Sequence, residues 1–469
     1  MQPTSTIAPR HQRALRLVGE HQLVPSIDGS ERLSINLDHA ASTPALAEVH
    51  EAVERFVPWY SSIHRGAGYR SQVASRAYEG ARAAVADFVD ADDDQVVVLV
   101  RNTTEALNVL ASAVAPGRRV LCSSMEHHAN LLPWRAHDLE MLPFADSPDE
   151  LLETCAATLS RAHPRAFDLL VVTAASNVTG ELWPIRELAA LAHAYGARIV
   201  VDGAQLAPHR PISLRELGVD YLALSGHKLY APYGAGALIA RRDAIGEGVP
   251  LLKGGGAVQR VTLDDVVWSD VPDRYEAGSP NVIGAVALGV ACDVLAAYGM
   301  ETLASEERPL VRRLRTGLRS TPGVQLLDAW ADEEIDRVGV CTFTVDGRDH
   351  RLVAAALAAE HAISVRSGAF CAHPLVGHLL GLSPELSAAD VPAGRPSGAV
   401  RVSIGIGVGE REIDAFLAAV RSIASYGARV AYQLDPVTRQ LAPVGDTRPW
   451  PELGIRLSGA RRGSGAPCL

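Results

Sequence analysis

A lysine at the end of an apolar run is the residue whose position most strongly suggests chemistry. Residues 220–224 predict a short buried strand, and Ser225, His227 and Lys228 follow directly. Lysine is rarely buried without a partner. Lys228 could extend its amine from the strand end to solvent, or it could form a Schiff base with the aldehyde cofactor pyridoxal phosphate (PLP). The choice depends on whether the chain supplies the other groups that PLP needs.

Two earlier β-branched runs also end in polar side chains. One leads to Asn177 and the next leads to Asp202 and Gln205, with about 25 residues separating Asn177 from Asp202 and Asp202 from Lys228. Parallel strands at this spacing would bring the four side chains to one carboxyl edge of a sheet, where open α/β folds bind ligands. Asp202 could then face the pyridinium nitrogen, which needs an anion, although a strand-end aspartate is more often a cap or turn residue.

A strand–turn–helix pattern at residues 95–110 offers a phosphate site. Thr103 and Thr104 stand at the turn, where free amides and hydroxyls can bind phosphate, but threonine is also a common helix cap without a ligand. His127 and His128 follow the next predicted strand. No third ligand lies at a zinc-like spacing, so we predict no metal and instead an imidazole stacked on the cofactor ring.

Strands and helices alternate from about residue 95 to 241, which predicts an α/β fold with a mainly parallel sheet. Residues 73–89 and 184–196 have the apolar spacing of helices. A short helix is also predicted near residues 11–18, and a strand near 430–434.

Length and composition indicate a large globular protein. The 469 residues are 48% hydrophobic, which favours two domains. The formal net charge of −10 argues against nucleic-acid binding, which usually needs a basic face. We expect no membrane span, because no stretch approaches about 18 uninterrupted apolar residues. We expect a cytoplasmic protein, because the N-terminus lacks a signal pattern. The six cysteines form no Cys-x-x-Cys pair, which fits reduced thiols.

Together these motifs resemble the class V aminotransferase group of fold-type I PLP enzymes, and within it the cysteine desulfurase/selenocysteine lyase branch. The matching segments occur in the family order and span about three-quarters of the chain. They are residues 37–41, 64–66, 103–105, 126–130, 176–180, 201–205, 225–228, 254–256, 276–281 and 366–372.

The resemblance implies an α/β fold with a mainly parallel, seven-stranded-type large domain and a smaller α+β C-terminal domain. The expected divisions are an N-terminal extension at 1–33, a large PLP-binding domain at 34–285, a small domain at 286–430 and a C-terminal extension at 431–469.

The resemblance also implies roles around the cofactor, pyridoxal 5'-phosphate. Lys228 would hold it and then shuttle protons, while Asp202 would pair with the pyridinium nitrogen. Asn177 and Gln205 would hydrogen-bond the phenolic oxygen, and His127 would stack on the ring.

The phosphate contacts imply a dimer. Within the chain, the resemblance assigns the phosphate to Thr103, Thr104, Ser225 and His227. Ser279 matches a position that in the family reaches the phosphate in the neighbouring subunit. The implied assembly is therefore a homodimer with shared active sites.

The substrate side is implied to contain two arginines and a histidine. Arg401 would grip the substrate carboxylate, a bidentate task suited to guanidinium. Arg366 and His64 would assist it.

Cys371 decides the reaction that we predict. In the desulfurase branch this position is a thiolate that takes sulfur from cofactor-bound cysteine, leaving a persulfide and alanine, and a sulfur-acceptor protein is an implied partner. Only the thiolate attacks, so we expect Arg366 or His373 to favour it. Cys371 could instead be a small buried hydrophobe.

The main prediction is C–S bond cleavage in cysteine or a cysteine-derived amino acid. The first alternative is a β-eliminating C–S lyase, transaminase or epimerase acting on a bulkier cysteine S-conjugate, with Cys371 not catalytic. A second alternative is a PLP-binding regulatory or scaffold protein without turnover.

Three segments depart from the family pattern. Ala369 and Phe370 replace the usual histidine before the cysteine. Residues 376–400 form a longer segment than expected, which we predict to lie near the site mouth. The chain also continues past the expected end, with a loose segment predicted at 459–465.

Overall fold

The computed structural model describes most of the chain as strands and helices that alternate around one large sheet. The described residues are 14–161, 166–246, 248–331, 334–383, 395–436 and 440–454. The N-terminal elements are β1 (Leu23–Pro25), β2 (Glu31–Leu33), β3 (Ile35–Asn36), α1 (Ala47–Phe56) and α2 (Tyr69–Phe88).

The central region repeats the strand–helix unit. Its elements are β4 (Gln95–Val100), α3 (Thr103–Ala113), β5 (Arg119–Ser123), α4 (His128–Leu131), β6 (Asp138–Leu142), α5 (Pro148–Leu159), β7 (Leu169–Thr173), α6 (Ile185–Ala194), β8 (Arg198–Asp202), α7 (Leu214–Leu217), β9 (Tyr221–Ser225) and β10 (Gly236–Arg241).

The C-terminal region mixes short strands with longer helices. Its elements are β11 (Val258–Val261), β12 (Val266–Trp268), α8 (Val282–Tyr298), α9 (Met300–Arg319), β13 (Val324–Leu327), β14 (Val340–Val345), α10 (His350–His361), β15 (Ile363–Ser364), β16 (Arg366–Gly368), α11 (His373–Leu379), β17 (Ala399–Ser403), α12 (Glu410–Tyr426), β18 (Tyr432–Leu434) and β19 (Leu441–Pro443). Short 3₁₀ turns lie at Val57–Trp59, Leu132–Ala136, Arg242–Ala244 and Asp273–Tyr275.

The large sheet has seven strands in the order β4-β10-β9-β8-β7-β5-β6. β6, β5, β7, β8 and β9 pair in parallel, while β10 runs antiparallel to both of its neighbours. The prediction of a mainly parallel α/β sheet is confirmed. Because consecutive parallel strands end at the same edge, β7, β8 and β9 deliver their following loops to one place.

Both faces of this sheet are covered by helices. On β4, Val97 and Leu99 join a core with residues of α1, α2 and α8, while Val96 and Val98 join a second core with residues of α3. Successive strand residues point to opposite faces, so an unbroken apolar run is what a doubly covered strand requires.

A smaller sheet holds the C-terminal part of the site. Its four strands are antiparallel in the order β13-β14-β17-β16. β15 pairs in parallel with β3 through Ile363 and Ile35, and Asp38 forms a parallel bridge with Ser403 of β17. This pairing brings the segment after β3 against a strand more than 350 residues later in the chain.

Most of the predicted elements are present, with one correction. α2 and α6 occupy the predicted helices at 73–89 and 184–196, and β18 lies in the predicted strand at 430–434. The helix predicted at 11–18 is wrong for residues 14–18, because Leu17 forms an antiparallel bridge with Leu46 and buries its side chain there. Residues 11–13 lie outside the described part.

Two other predictions fall largely outside the described residues. Residues 384–394 of the long segment and the tail at 459–465 are not among them. The domain boundaries stay a prediction. No single described helix is long and apolar enough to cross a membrane. Among the described helices, only the consecutive pair α8 and α9 is together long and apolar enough, and the chain bends by 77° between these two helices.

Candidate active site

Lys228 and Asp202 place opposite charges near each other at the carboxyl edge of the large sheet, with Asp202 buried and Lys228 half-buried. Asp202 is the last residue of β8 and is 5% exposed, and its carboxylate accepts a hydrogen bond from the Ala204 N–H at 2.9 Å. Lys228 lies in the turn after β9. Burial lowers the pKa of Lys228 to about 8, and the nearby Asp202 opposes that shift. Burial likewise raises the pKa of Asp202 against the opposing effect of Lys228.

The phosphate residues predicted from the sequence meet at the start of α3. Thr103 N–H donates to Ser225 Oγ at 2.9 Å, and the Ser225 hydroxyl donates to Thr103 Oγ1 at 2.8 Å. Asn102 caps the helix by accepting from Glu105 N–H at 3.0 Å. Thr104 is exposed beside this cap. The arrangement presents hydroxyls and helix amides together, as an anion requires.

The two site histidines are held in the neutral form. His127 caps α4, where its Nδ1 accepts from the Ala129 N–H at 3.0 Å, and burial lowers its pKa to about 3. Burial lowers the pKa of His227 to about 4, with Lys228 adding to the effect. A neutral imidazole of fixed orientation is suited to pack on an aromatic ring.

Asn177 and Gln205 are both buried, but they differ in how many of their side-chain polar atoms are hydrogen-bonded. Asn177 Nδ2 donates to the Phe370 carbonyl at 2.9 Å. Gln205 Nε2 lies 3.3 Å from His209 Nε2, and His209 Nδ1 lies 2.5 Å from Glu307 Oε1. Gln205 Oε1 is buried without a partner in the described part of the chain. Buried polar atoms are normally satisfied, so this amide is positioned for a further polar group.

Arg401 and Arg366 meet at one carboxylate. Arg401 is 3% exposed; its Nη1 donates to the Asn177 carbonyl at 3.0 Å, and its Nη2 lies 3.4 Å from Asp38 Oδ1. Arg366 Nη2 lies 2.9 Å from Asp38 Oδ2 and remains half exposed. Burial lowers the pKa of Arg401 to about 10, with Asp38 opposing the shift.

Cys371 lies in a tight turn whose backbone dihedral angles are unusual for residues other than glycine. The turn is closed by the Ala372 N–H donating to the Ala369 carbonyl at 2.8 Å, and its central residues Phe370 and Cys371 have φ of 54° and 53°. Neither is glycine, and such conformations cost about 1–3 kcal/mol per residue. Positive φ at both central residues is the mirror-image turn that normally selects Gly or Asn.

Contacts to the rest of the site hold this turn in place. The His128 N–H donates to the Cys371 carbonyl at 2.7 Å, and the Arg401 guanidinium lies 5.1 Å from the centre of the Phe370 ring. The Cys371 side chain is exposed, and it interacts electrostatically with both Lys228 and Arg401. The interpretation of Cys371 as a small buried hydrophobe is therefore wrong.

His64 and Ser279 lie in a different environment from the residues above. His64 Nε2 is 3.0 Å from Glu79 Oε1 on α2. Ser279 is exposed on a loop anchored by Glu276, whose buried carboxylate pairs with Arg82 at 2.6 Å. The roles predicted for His64 and Ser279 stay predictions.

Sequence reasoning assigned no role to three residues around the predicted site: Asp38 and His209 contact site residues, and Glu307 contacts His209. Asp38 follows strand β3, so the strand-end reasoning used for Asp202 could have identified it. His209 lies four residues after Gln205, and Glu307 lies on α9, about 100 residues later. No local pattern signals Glu307, because its place beside His209 depends on tertiary packing.

The fold and the lysine–aspartate pair define a PLP-dependent enzyme of fold type I. The family profile Aminotransferase class-V matches residues 35–416. The chain belongs to this family, whose members use PLP, and the match confirms the resemblance found in the motifs.

The most similar sequences and structures include several cysteine desulfurases. A probable cysteine desulfurase of Mycolicibacterium paratuberculosis is 36% identical over 84% of this chain, and a cysteine desulfurase of Dickeya dadantii is 35% identical over 72% of this chain and 83% of its own length. The chain spans 56% of the first of these relatives. An apo cysteine desulfurase structure from Thermococcus onnurineus NA1 superposes with a TM-score of 0.73 at 29% identity, covering 84% of this chain and 95% of the other.

The residues present fit PLP. The pyridine ring of PLP needs an acid at its nitrogen, an amine at its aldehyde and a flat group on its face, which Asp202, Lys228 and the neutral His127 can provide. Its phosphate needs the hydroxyls at the start of α3, and its phenolic oxygen needs a buried amide. Gln205 Oε1, a buried acceptor without a partner among the described residues, is the observation that most directly indicates room for a hydrogen-bond donor such as a phenolic hydroxyl.

Proposed function

We propose that the protein is a PLP-dependent cysteine desulfurase. It cleaves the C–S bond of L-cysteine or a cysteine-derived amino acid, transfers the sulfur to Cys371 and releases alanine. The observation that carries this proposal is the exposed Cys371 thiol in a strained turn, held within electrostatic range of Lys228 and Arg401.

PLP, when bound, supplies an electron sink for negative charge that develops at the substrate Cα. Lys228 would hold the cofactor, and Asp202 would favour the protonated form of its ring nitrogen. Thr103 and Ser225, with Thr104 and His227, would bind the phosphate. Asn177 and Gln205 would orient the phenolic oxygen, and His127 would pack on the ring.

Arg401 receives the substrate carboxylate and thereby fixes the orientation of Cα. Its guanidinium is buried, and its Nε lacks a partner in the described part of the chain, so a carboxylate there would satisfy a buried donor. Lys228 Nζ moves the Cα proton. Its lowered pKa of about 8 leaves a useful neutral fraction near neutral pH.

Cys371 carries out the sulfur transfer. Its thiolate Sγ attacks the substrate sulfur, so that an S–S bond forms while the C–S bond breaks. The bonding pair of the C–S bond stays with the substrate carbon, which takes up a proton to become the methyl group of alanine. Because Cys371 is exposed, a persulfide there would be accessible for later transfer to a sulfur-acceptor protein.

The proposal extends to the assembly of the enzyme. Ser279 lies exposed on an anchored loop, which suits contact with the phosphate in a second subunit, and His64 would act at the same boundary. We propose a homodimer in the cytoplasm with the domain divisions expected from the sequence. The segment at 376–400 would border the site, since Cys371 and Arg401 flank it.

Product analysis tests the reaction. The purified holoenzyme is incubated with L-cysteine, and alanine, persulfide sulfur, pyruvate and ammonia are quantified. Alanine and sulfur in equal amounts support the proposal. Pyruvate and ammonia as the main products, with undiminished turnover in Cys371→Ala, would contradict it and favour β-elimination. Gel filtration of an active monomer would contradict the shared site.

A further inference from the structure

A chain of buried polar side chains leads away from Gln205, the residue that we propose to orient the phenolic oxygen of PLP. Gln205 Nε2 lies 3.3 Å from His209 Nε2, and His209 Nδ1 lies 2.5 Å from Glu307 Oε1 on α9. All three residues are buried. The groups that hold the Gln205 amide in place therefore lie behind it, on the side of His209.

Arg210 anchors Glu307 at the far end of this chain. Arg210 Nη1 donates to Glu307 Oε2 at 2.6 Å, and Arg210 Nη2 donates to Asp336 Oδ1 at 2.9 Å. Burial alone would raise the pKa of the Glu307 carboxyl, yet His209 and Arg210 together hold that pKa below its ordinary range. Glu307 is therefore an ionised carboxylate, which can only accept hydrogen bonds.

The contacts of His209 allow one arrangement of its protons. Because Glu307 only accepts, the proton lies on His209 Nδ1. The amide nitrogen of Gln205 only donates, so His209 Nε2 is the unprotonated nitrogen of a neutral imidazole. An imidazole with its proton on Nε2 would instead turn the amide oxygen of Gln205 toward itself. In the observed arrangement that oxygen, Oε1, has no partner among the described residues and is left for another group.

We propose that His209 and Glu307 are positioning residues for PLP, which act by holding the Gln205 amide in one orientation toward the phenolic oxygen of the cofactor. The inference deepens the proposed function and rests on one point of it, the contact between Gln205 and the phenolic oxygen. Neither His209 nor Glu307 has to touch the cofactor. Without a carboxylate at Nδ1, the imidazole could carry its proton on either nitrogen, and the amide would be free to turn over.

The test is a double-mutant cycle that measures ligand affinity rather than turnover. Pyridoxine 5'-phosphate keeps the phenolic oxygen and the phosphate but lacks the aldehyde, so calorimetry with the cofactor-free protein reports noncovalent contacts alone. Gln205→Ala should weaken binding about tenfold. Glu307→Gln keeps the size but lets the residue donate to Nδ1 as well as accept from it, so binding should weaken about fivefold.

The coupling between the two changes decides the outcome. In a Gln205→Ala background, Glu307→Gln should have no further effect, because the amide that it releases is absent. An equal loss in both backgrounds would show that Glu307 only supports the fold, and that result would overturn the proposal. Removal of a negative charge should by itself strengthen the binding of an anionic ligand, so a charge effect cannot account for weaker binding.

Two further variants complete the experiment. His209→Asn serves if Glu307→Gln folds poorly: the asparagine amide can replace Nδ1 as donor to Glu307 but is too short to reach Gln205. Binding should again weaken about fivefold, and only where Gln205 is present; wild-type affinity in His209→Asn would overturn the proposal. Glu306→Gln is the matched control. It removes a charge from an exposed neighbour on α9, which accepts from the Tyr298 hydroxyl at 2.9 Å, and should bind as wild type does.

The outcomes separate this inference from the proposed function. A holoenzyme that makes no alanine from L-cysteine contradicts the desulfuration, whereas the affinity cycle uses cofactor-free protein and needs no turnover. Wild-type affinity in Gln205→Ala contradicts the phenolic contact and this inference with it. A tenfold loss in Gln205→Ala without coupling to residue 307 contradicts only the positioning role of His209 and Glu307.

Discussion

The cofactor side and the substrate side of the site are built in different ways. Asn177 and Lys228 follow β7 and β9, and Asp202 ends β8; these are consecutive parallel strands with regular spacing. The substrate side combines Asp38, Arg366, Cys371 and Arg401, brought together by the pairing of β3 with β15 and of β16 with β17. The first side depends on local repetition, and the second depends on long-range pairing.

This difference affects how each side is stabilised. Asp202 and Lys228 sit at ends of strands whose apolar residues fill the core, so their positions follow from the sheet itself. Phe370 and Cys371 have positive φ, and contacts from Asn177 and His128 hold their carbonyls. A strained turn persists only when its surroundings determine it. Cys371, the proposed nucleophile, therefore depends on Asn177 and His128 for its position.

Removal of the lysine should have the largest effect. Lys228→Ala removes the amine that we propose holds the cofactor and moves the Cα proton, so turnover should fall by about 10⁴-fold or more. The visible absorbance of covalently held cofactor should disappear. Spectra and alanine assays measure both effects.

The chain offers a matched control for this experiment. It contains only one other lysine, Lys253, which is exposed. Lys253→Ala should keep the cofactor band and normal turnover. If Lys228→Ala kept the band while Lys253→Ala lost it, Lys228 would have no role in holding the cofactor.

Removal of Cys371, the proposed nucleophile, should impair the reaction while leaving cofactor binding intact. Cys371→Ala should lower alanine and persulfide formation from L-cysteine by about a thousandfold, while cofactor content and its spectrum stay as in wild type, because Cys371 lies on the substrate side. Cys371→Ser serves as the isosteric variant. Alanine formation at the wild-type rate in either variant would remove Cys371 from the reaction.

The cofactor side should also respond to pH in a defined direction. Burial lowers the pKa of Lys228 from 10.5 to about 8, and only the neutral amine attacks the cofactor aldehyde. The rate of PLP uptake by the cofactor-free protein should rise with pH and level off above about 8. Asp202→Asn removes the anion that favours the charged amine, so the midpoint should move to lower pH. Stopped-flow absorbance measures it, and a midpoint near 10.5 would contradict the burial effect.

The sequence predicted the cofactor side more completely than the substrate side. The apolar runs before Asn177, Asp202 and Lys228 predict strands, and equal spacing of parallel strands is enough to bring their ends together. The ion pairs of Asp38 with Arg366 and Arg401 could not be predicted this way, because they depend on the register of β3 with β15 and of β16 with β17. The positive φ of Phe370 also had no sequence signal, since neither Gly nor Asn occupies that position.

Asn177 belongs to both sides, and its loss should have the smallest effect of the four changes. Asn177→Ala removes the hydrogen bond to the Phe370 carbonyl, worth about 0.5–1.5 kcal/mol. The strained turn should open more often, and the rate of Cys371 alkylation by iodoacetamide should rise about fivefold. The cofactor-free protein is used, so that loss of a cofactor contact does not contribute to the rate.

The alkylation experiment works best in a Cys468→Ser background. Cys122, Cys155, Cys292 and Cys341 are buried, so Cys371 is then the exposed thiol of the described part of the chain. Lys253→Ala in the same background is a surface control that should not alter the rate. If Asn177→Ala reacts no faster than this control, the turn is held by the His128 and Arg401 contacts alone, and the two sides are less tightly coupled than the hydrogen bond indicates. A faster rate at Cys371 would instead show that a residue of the cofactor side holds the nucleophile in place.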